Sequence, residues 1–365
     1  MTNRERILSE FQKLVGFDAE SGHEEEIGAY LLRRLQDLGL SAAKDQAGNL
    51  YGFLPGTRNG DALLFSAHMD TVSPGKGKRA ILHEDGRISS DGTTVLGADD
   101  GSGLTAILEA LTVIQENRLS HPDLEILLTT GEELFGLGSA AFDYSCLRSR
   151  VAYVLDLTGP VGTAAVQAPS ILSVDIAVTG LASHAGFAPE AGVNALTISA
   201  RALTELTTGH TDPETTVNFG VISGGEGRNI VPAKIHIQGE VRSLDHRKAL
   251  EQADLIRACF LREAEALHGK AEVTVTENIR AYRVPQDAPV VRRFRRALAD
   301  LDYGEGKLIS TFGGSDNNNF ALHGISGIVL SCAMENVHST SEYTDINELQ
   351  KAAELTLRLM IGEGS

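Results

Sequence analysis

The sequence predicts an α/β protein that is interrupted by an inserted α+β domain. First, its 365 residues are too many for one ordinary hydrophobic core, so we expect two domains. Second, short apolar runs alternate with helical patterns over the first half of the chain, and this alternation resumes after about residue 285. Third, from about residue 170 the pattern changes to strands in which every second residue is apolar, as in a half-exposed sheet.

The outer part of the chain predicts a mixed or parallel sheet with helices on both faces. Its predicted strands are apolar on both faces and are separated by helical patterns, which is typical of such sheets. Ser21 and Glu24 fit a capping box in front of a helix whose apolar residues run from Ile27 to Leu38. The other predicted elements are strands at 49–54, 62–67, 124–130, 151–155 and 328–332, a helix at 101–117 and a closing helix after Ile346.

The inserted part predicts a small α+β domain with one exposed sheet edge. Leu172, Val174 and Ile176 alternate with other residues, which indicates a strand with one buried face. The elements then follow in the order strand, helix, strand, strand, helix, strand, which is the order of a ferredoxin-like domain. We expect helices at 193–206 and 246–267, and further strands at 216–222, 234–241 and 271–281.

Composition argues against several classes of protein. The net charge of 32 − 49 = −17 disfavours binding to a nucleic-acid backbone. No apolar run approaches the roughly 20 residues that cross a bilayer, and the first residues lack the layout of a secretion signal. Cys146, Cys259 and Cys332 form no CxxC pair, so neither a disulfide framework nor a thiolate zinc site is indicated. We therefore expect a cytoplasmic protein that binds neither nucleic acid nor membranes.

Two short segments carry possible metal ligands. His68 and Asp70 are two residues apart, so on an extended chain they point the same way. A carboxylate that holds one imidazole nitrogen prepares the other for zinc, although a surface pair at a strand end is equally consistent with this spacing. Asp99 and Asp100 open the predicted helix at 101–117, where they could cap the helix or one of them could bridge two metal ions.

Acidic residues and a histidine follow the other predicted strands. Glu132 and Glu133 come directly after a strand, where one could ligate a metal while the other handles a proton, or both could start an exposed helix. Asp156 ends an apolar strand as either a helix cap or a ligand at the carboxyl edge of the sheet. His338 lies in a polar loop, where most histidines are merely solvated. Taken together, these segments supply enough ligands for a two-metal hydrolytic centre.

The order of these motifs over nearly the whole chain resembles the M20 zinc metallopeptidases, and among them the peptidase T-like tripeptide aminopeptidases. The segments that carry the resemblance are HMDT, GADDGSG, TTGEELFG, a single aspartate after a strand, SHAG and NVHSTSE. The resemblance implies two metal sites that share one aspartate. Their ligands would be His68, Asp99 and Asp156 in one site, and Asp99, Glu133 and His338 in the other.

The resemblance also implies the domain roles and the reaction. Residues 1–169 and 284–365 would form a mixed-sheet catalytic domain, and residues 170–283 a dimerisation lid. Two Zn²⁺ ions, or Co²⁺ or Mn²⁺ with the same ligands, would activate a shared water. Glu132 would be the general base that accepts its proton, and Asp70 would support the histidine ligand two residues before it.

The inserted domain contains three segments that resemble functional parts of the family. His184 in the SHAG segment resembles the histidine that reaches across a homodimer to stabilise the oxyanion. Asn229 and Arg242 resemble lid residues that bind substrate, the arginine suiting a peptide carboxylate, although a turn asparagine and a surface arginine explain them equally well. Gly314, after the insertion, resembles part of a substrate loop but could also belong to a plain turn.

The expected function is that of a homodimeric aminopeptidase that releases N-terminal residues from tripeptides or similar small peptides. Two positions depart from the family pattern: Gly101 stands where many relatives have lysine, and Phe312 where arginine often precedes the Gly-Gly loop. Neither is a predicted metal ligand, and the missing arginine leaves the peptide length open. The alternatives are a hydrolase of N-acyl amino acids and a metal-binding protein without turnover. Serine or cysteine catalysis and phosphate-loop chemistry are disfavoured, since neither G-x-S-x-G nor G-K-[S/T] occurs.

Overall fold

The computed structural model describes residues 1–362, which divide into two compact units. The first unit comprises Met1–Gln167, Arg283–Thr311 and the residues from Ser315 onward, and the second comprises Ala168–Tyr282 with Phe312–Gly314. The assignment of a catalytic role to one unit and a lid role to the other stays a proposal.

Helices and strands are numbered here along the chain. The helices are α1 (Arg4–Val15), α2 (Glu25–Asp37), α3 (Ala98–Asn117), α4 (Leu137–Ala141), α5 (Ala195–Glu205), α6 (His246–Ala266), α7 (Pro289–Asp300), α8 (Asp316–Leu322) and α9 (Ile346–Ile361). The strands are β1 (Ser41–Lys44), β2 (Leu50–Leu54), β3 (Leu63–His68), β4 (Ile81–Leu82), β5 (Arg87–Ser89), β6 (Leu124–Thr129), β7 (Val151–Thr158), β8 (Thr163–Ala168), β9 (Ser170–Thr179), β10 (Gly209–Asp212), β11 (Thr215–Gly224), β12 (Lys234–Ser243), β13 (Lys270–Ile279), β14 (Tyr282–Arg283), β15 (Lys307–Ser310), β16 (Ser326–Met334) and β17 (Tyr343–Asp345).

Within residues 1–362, a nine-stranded mixed sheet forms the centre of the first unit. Its order is β1-β2-β6-β3-β7-β16-β8-β14, with β15 beside β8. The neighbouring strands β6, β3, β7 and β16 run parallel to one another. Every residue of β3 and β6 is buried, as expected for strands that are covered on both faces. The carboxyl ends of these four parallel strands therefore meet at one edge of the sheet.

Helix α3 packs against β3, β7 and β16 and is buried along most of its length. On its other side it contacts α1 and α9. Helix α1 was not predicted, although Ile7, Phe11 and Leu14 have helical spacing and are buried. The side chain of Asn3 accepts a hydrogen bond from the backbone N–H of Arg6 and caps this helix.

The second unit is built on an antiparallel sheet of five strands within the described residues, in the order β10-β11-β12-β9-β13. Helices α5 and α6 pack against it, and the predicted alternation in β9 is confirmed because Leu172, Val174, Ile176 and Val178 are all buried in its core. The predicted order omitted β10, whose sequence Gly-His-Thr-Asp has no apolar alternation. The α+β class predicted for the insertion is confirmed, with one additional strand.

Most predicted elements agree with the structure to within a few residues, but two local predictions are wrong. The capping box is absent: Glu24 precedes α2 without a side-chain capping bond, and the Ser21 hydroxyl donates to Asp70 instead. Strand β7 continues to Thr158, so Asp156 lies within the strand rather than at its end. None of the described helices is long and apolar enough to cross a membrane.

Candidate metal centre and active site

Five side chains that lie far apart in the sequence converge at the carboxyl edge of the large sheet. They form two groups that share Asp99, and within each group the ligand atoms all lie within 4.8 Å of one another. The parallel strands explain most of this convergence, because the carboxyl ends of β3 and β7 carry the first histidine and the second aspartate, and the segments after β6 and β16 carry the glutamate and the second histidine. The shared aspartate is supplied by the start of α3. The groups are His68 with Asp99 and Asp156, and Asp99 with Glu133 and His338.

The two carboxylate oxygens of Asp99 face different histidines. Oδ1 lies 2.9 Å from Nε2 of His68, and Oδ2 lies 3.2 Å from Nε2 of His338. The His338 Nε2 atom also lies 2.9 Å from Oε1 of Glu133. On the other side, the His68 Nε2 atom lies 3.8 Å from Oδ1 of Asp156. A carboxylate in the position of Asp99 can bind one cation through each of its oxygens.

The His68 ring is oriented by the loop that follows it. Its Nδ1 atom lies 2.9 Å from the backbone carbonyl oxygen of Asp70 and 3.5 Å from the Oδ1 atom of the same residue. Because a carbonyl oxygen can only accept a hydrogen bond, Nδ1 must carry the proton in this contact. The Nε2 atom, which faces Asp99, is then the nitrogen that can bind a metal ion.

Burial and mutual repulsion set the pKa values of the acidic groups in this centre. Burial raises the pKa of Asp156, and the negative charges of Glu132 and Asp99 raise it further. Burial likewise raises the pKa of Glu132, although the nearby His68 opposes this. The pKa of Asp99 is lowered, since hydrogen bonds from His338 and His68 outweigh its burial. A buried cluster of carboxylates is stabilised by cations, so these electrostatics favour divalent metal binding.

Two buried carboxylates hold the turn that carries Glu132 and Glu133. Asp70 accepts hydrogen bonds from the backbone N–H groups of Glu132 at 3.0 Å and Glu133 at 3.2 Å. Glu24 accepts one from the preceding Gly131 at 3.1 Å. Three successive backbone N–H groups are thus fixed, and with them the directions in which the two glutamates leave the turn.

The structure separates the two aspartates that open α3. Asp100 accepts hydrogen bonds from the backbone N–H groups of His68 at 3.2 Å and Gly103 at 3.0 Å. It therefore caps the helix and ties it to the end of β3. Asp99 is left to face the two histidines, so the capping alternative accounts for Asp100 and leaves Asp99 available as a ligand.

Two further buried carboxylates were not predicted as metal ligands or catalytic groups. Glu342 accepts backbone hydrogen bonds from Leu96, Gly97 and Asp99 and is 1% exposed. Glu342 belongs to the NVHSTSE segment, and its place four residues after His338 was the one feature of the sequence that could have indicated a role at the site. Asp316 is also 1% exposed, and its negative charge contributes to the raised pKa of Glu132. Nothing in the local sequence of Asp316, Gly-Gly-Ser-Asp, indicated that it would lie near Glu132.

In the second unit, Nδ1 of His184 accepts hydrogen bonds from the backbone N–H groups of Gly186 and Phe187, both at 3.2 Å. The ring of His184 also stacks on that of Phe187, with 4.2 Å between the ring centroids. Asn229 lies beside this loop, where its backbone carbonyl accepts a hydrogen bond from Ala185 at 2.9 Å. The structure therefore brings the segments of His184 and Asn229 together.

The other two predicted substrate-binding residues have partners inside the second unit. Arg242 forms a two-pronged ion pair with Glu240 and donates to the backbone carbonyl of Phe312 at 2.9 Å. Gly314 packs so tightly against Ile279 that a Cβ atom there would overlap its side chain. These contacts explain both residues structurally, and their binding roles stay predictions.

The donor set of the two groups consists of imidazole nitrogens and carboxylate oxygens. Zn²⁺ binds such ligands in catalytic sites, and Co²⁺ and Mn²⁺ accept the same donors. The residues therefore fit a pair of divalent transition-metal ions.

Comparisons with known proteins support the same family. The family described as peptidase dimerisation domain (M20) matches residues 167–268, and peptidase family M28 matches residues 49–173. The uncharacterized protein YqjE of Bacillus subtilis is 38% identical over 368 residues, covering 99% of each chain. The aminopeptidase PepT structure from Bacillus cereus is 37% identical, with a TM-score of 0.91 over 99% of this chain and 98% of that one. A tripeptidase structure from Staphylococcus aureus is 33% identical, with a TM-score of 0.96 over the same shares. The chain is therefore a peptidase of the M20 family and belongs to its peptidase T-like members.

Proposed function

We propose that this protein is a two-metal aminopeptidase that releases N-terminal residues from tripeptides or similar small peptides. The observation that carries the proposal is the position of Asp99, whose two oxygens face His68 and His338 next to the buried Glu132. The similarity to structures described as an aminopeptidase and a tripeptidase supports the substrate class.

The metal ligands in this proposal are the five residues of the two groups. Two Zn²⁺ ions are the first choice, with Co²⁺ or Mn²⁺ as substitutes. When bound, such ions supply Lewis-acid activation of water and of the peptide carbonyl. The residues of the chain contribute the orientation of that centre and the movement of protons around it.

Glu132 serves as the general base in this mechanism. The residue is 9% exposed, and Asp70 accepts a hydrogen bond from its backbone N–H group. Burial raises the pKa of Glu132, which makes its carboxylate a stronger base towards the proton of the attacking water. Glu132 accepts the proton of the attacking water and then passes it to the departing amino group of the cleaved peptide bond.

In a homodimer, the inserted domain of the second subunit provides His184, which stabilises the oxyanion. Because its Nδ1 atom accepts two backbone hydrogen bonds, the neutral ring carries its proton on Nε2. That N–H group is the donor offered to the developing negative charge. Asn229, Arg242 and Gly314 are proposed to contact the substrate, and a peptide carboxylate would have to compete with Glu240 for the Arg242 guanidinium.

The test compares a free tripeptide with its N-acetylated form and with an N-acetyl amino acid, using metal-loaded protein and mass identification of the products. We expect removal of the N-terminal residue from the free tripeptide and little cleavage of either acetylated compound. Preferential release of acetate would contradict the aminopeptidase proposal and favour the N-acyl amino acid hydrolase. No turnover of any of these amides with the metals bound would favour the binding protein without turnover.

A further inference from the structure

The loop between β16 and β17 carries two residues that contact Asp99, one at its carboxylate and one at its backbone N–H group. Glu335 and Tyr343 close its base through two backbone hydrogen bonds of 2.9 and 3.0 Å. His338 within the loop is exposed over about half of its side chain and reaches the carboxylate of Asp99. Glu342 near the base is buried, with 1% of its surface exposed.

The carboxylate of Glu342 binds the backbone that leads into Asp99. Its Oε2 atom accepts hydrogen bonds from Leu96 at 2.7 Å and from Gly97 at 2.8 Å, and its Oε1 atom accepts one from Asp99 at 3.0 Å. Both oxygens are therefore engaged by backbone N–H groups, and neither belongs to the two groups of metal ligands. Hydrogen bonds to an ionised carboxylate are about twice as strong as those between neutral groups.

We propose that Glu342 is a positioning residue of the metal centre. By holding the backbone from Leu96 to Asp99 it orients the Asp99 carboxylate, so that one oxygen faces each histidine. Because the same short loop carries His338, Glu342 also fixes the distance between this ligand and Asp99. The inference rests on the proposed metal centre, and it assigns Glu342 a role in metal affinity rather than in proton transfer.

Glu125 offers a matched control elsewhere in the first unit. It is fully buried, and its carboxylate accepts backbone hydrogen bonds from Arg148 at 3.0 Å and Ser149 at 2.8 Å. It lies near the amino end of β6, away from the edge where the metal ligands meet. A change from carboxylate to amide at Glu125 therefore weakens backbone hydrogen bonds of the same kind without touching Asp99, in addition to those from the hydroxyls of Tyr51 and Ser149.

The experiment measures the affinity for Zn²⁺ by competition with a chromophoric chelator, and the visible absorption of the Co²⁺-loaded protein, for wild type, Glu342→Gln and Glu125→Gln. Glu342→Gln places an amide NH₂ against backbone donors, so we expect its Zn²⁺ affinity to fall about 10- to 100-fold and its Co²⁺ spectrum to change. We expect Glu125→Gln to keep the wild-type Zn²⁺ affinity and Co²⁺ spectrum, even if it lowers the thermal unfolding midpoint as much as Glu342→Gln does.

Several outcomes would overturn the inference. One is wild-type Zn²⁺ affinity in Glu342→Gln, and another is an equal loss of affinity in Glu125→Gln. If Glu342→Gln does not fold, Glu342→Asp, which keeps the charge with a shorter reach, is expected to bind Zn²⁺ more weakly than wild type, and unchanged affinity would refute the role. If the wild-type protein itself binds no divalent ion, the proposed metal centre fails, which is distinguishable from failure of the Glu342 role alone.

Discussion

Asp70 connects the metal site to the proposed base through separate atoms. Its backbone carbonyl contacts Nδ1 of His68, while its side-chain oxygens accept the N–H groups of Glu132 and Glu133. One residue therefore orients a metal ligand and the turn that carries the base. The side chain of Glu132 can therefore be replaced without removing the backbone hydrogen bonds that Asp70 accepts, so the turn should keep its conformation while the base is lost.

Glu132→Gln is expected to lower kcat by about 10²- to 10⁴-fold, because the amide cannot accept the proton of the attacking water. The measurement is tripeptide hydrolysis at saturating substrate and metal. Since Glu132 is not among the five metal ligands, the metal content should equal that of wild type. Turnover close to wild type in the metal-loaded variant would remove Glu132 from the role of base.

Metal uptake should release a proton from His338. Hydrogen bonds to Asp99 and Glu133 raise the pKa of His338 from 6.5 to about 10 in the metal-free protein. Its ring is then protonated at neutral pH, and a metal ion must displace that proton to bind Nε2. We expect the affinity to rise with pH by about tenfold per unit for the displaced proton below the raised pKa.

Calorimetric metal titrations in buffers of different ionisation enthalpy measure this proton release. His338→Gln is the control, because it has no proton to displace at this position. Proton release by the wild type that is no larger than that of His338→Gln would contradict the protonated state. The raised pKa also makes the free energy of unfolding of the metal-free protein depend on pH. Protonated His338 contributes its full stabilisation below pH 6.5, and this contribution is lost as the pH rises through about 10.

At the scale of elements, the start of α3 depends on a close approach of backbone to β7. A Cβ atom on Gly103 would overlap the Asp100 carboxylate and the backbone carbonyl of Leu155. A Cβ atom on Gly101, two residues earlier in the same helix, would meet Val15 at 3.3 Å and Phe11 at 3.6 Å. The neighbours of Gly101 are side-chain atoms that can move, whereas those of Gly103 are a backbone carbonyl and a carboxylate held by hydrogen bonds.

Gly103→Ala should therefore destabilise the metal-free protein by about 1–3 kcal/mol through overpacking, despite the better helix propensity of alanine. Gly101→Ala receives the same propensity gain and is the matched control, for which we expect a change within about 1 kcal/mol. Urea unfolding followed by circular dichroism measures both. Equal stability of the two variants would contradict the tight contact at Gly103.

Long apolar patterns predicted some elements well, although α1 was missed despite the helical spacing of its apolar residues. Strand β9 and helix α3 had such patterns and occur close to the predicted positions. Strand β10 has four polar or small residues, and only its pairing with β11 makes it a strand. The capping box failed for a related reason, since Ser21 finds a stronger partner in the distant Asp70 than in the helix that follows.

At the scale of the whole molecule, the proposed role of His184 across a homodimer predicts that two inactive variants complement each other. Glu132→Gln retains His184, and His184→Ala retains Glu132, so each homodimer should be nearly inactive. In a mixed dimer, the subunit with Glu132 would receive His184 from its partner. We therefore expect activity to reappear when the two variants are unfolded and refolded together, or co-expressed with separate tags.

The controls are each variant treated alone, and the activity of purified doubly tagged dimers. A mixed dimer as inactive as its parents would show that His184 does not act across subunits. A monomer with full activity would exclude the cross-subunit arrangement altogether.

The site was predictable from sequence to the extent that topology determines it. His68, Asp156 and the Glu132–Glu133 pair were expected to meet because ligands at the carboxyl ends of parallel strands share an edge. In the structure His68, Asp156 and Glu133 belong to the two groups of possible metal ligands, although Asp156 lies two residues before the end of β7. The residues that hold the site through backbone hydrogen bonds were not predictable in the same way. Glu24 and Glu342 reach N–H groups about a hundred residues or more away, and no local pattern encodes such partners.

We propose above all that one chain holds two divalent ions, through Asp99 and the other four ligands. Native mass spectrometry of Zn²⁺-loaded protein, with wild type and Asp99→Ala side by side, counts the ions directly. We predict two zinc ions per wild-type chain and fewer than two in Asp99→Ala, which removes a ligand from both groups. One ion or none in the wild type, or two ions retained in Asp99→Ala, would contradict the account.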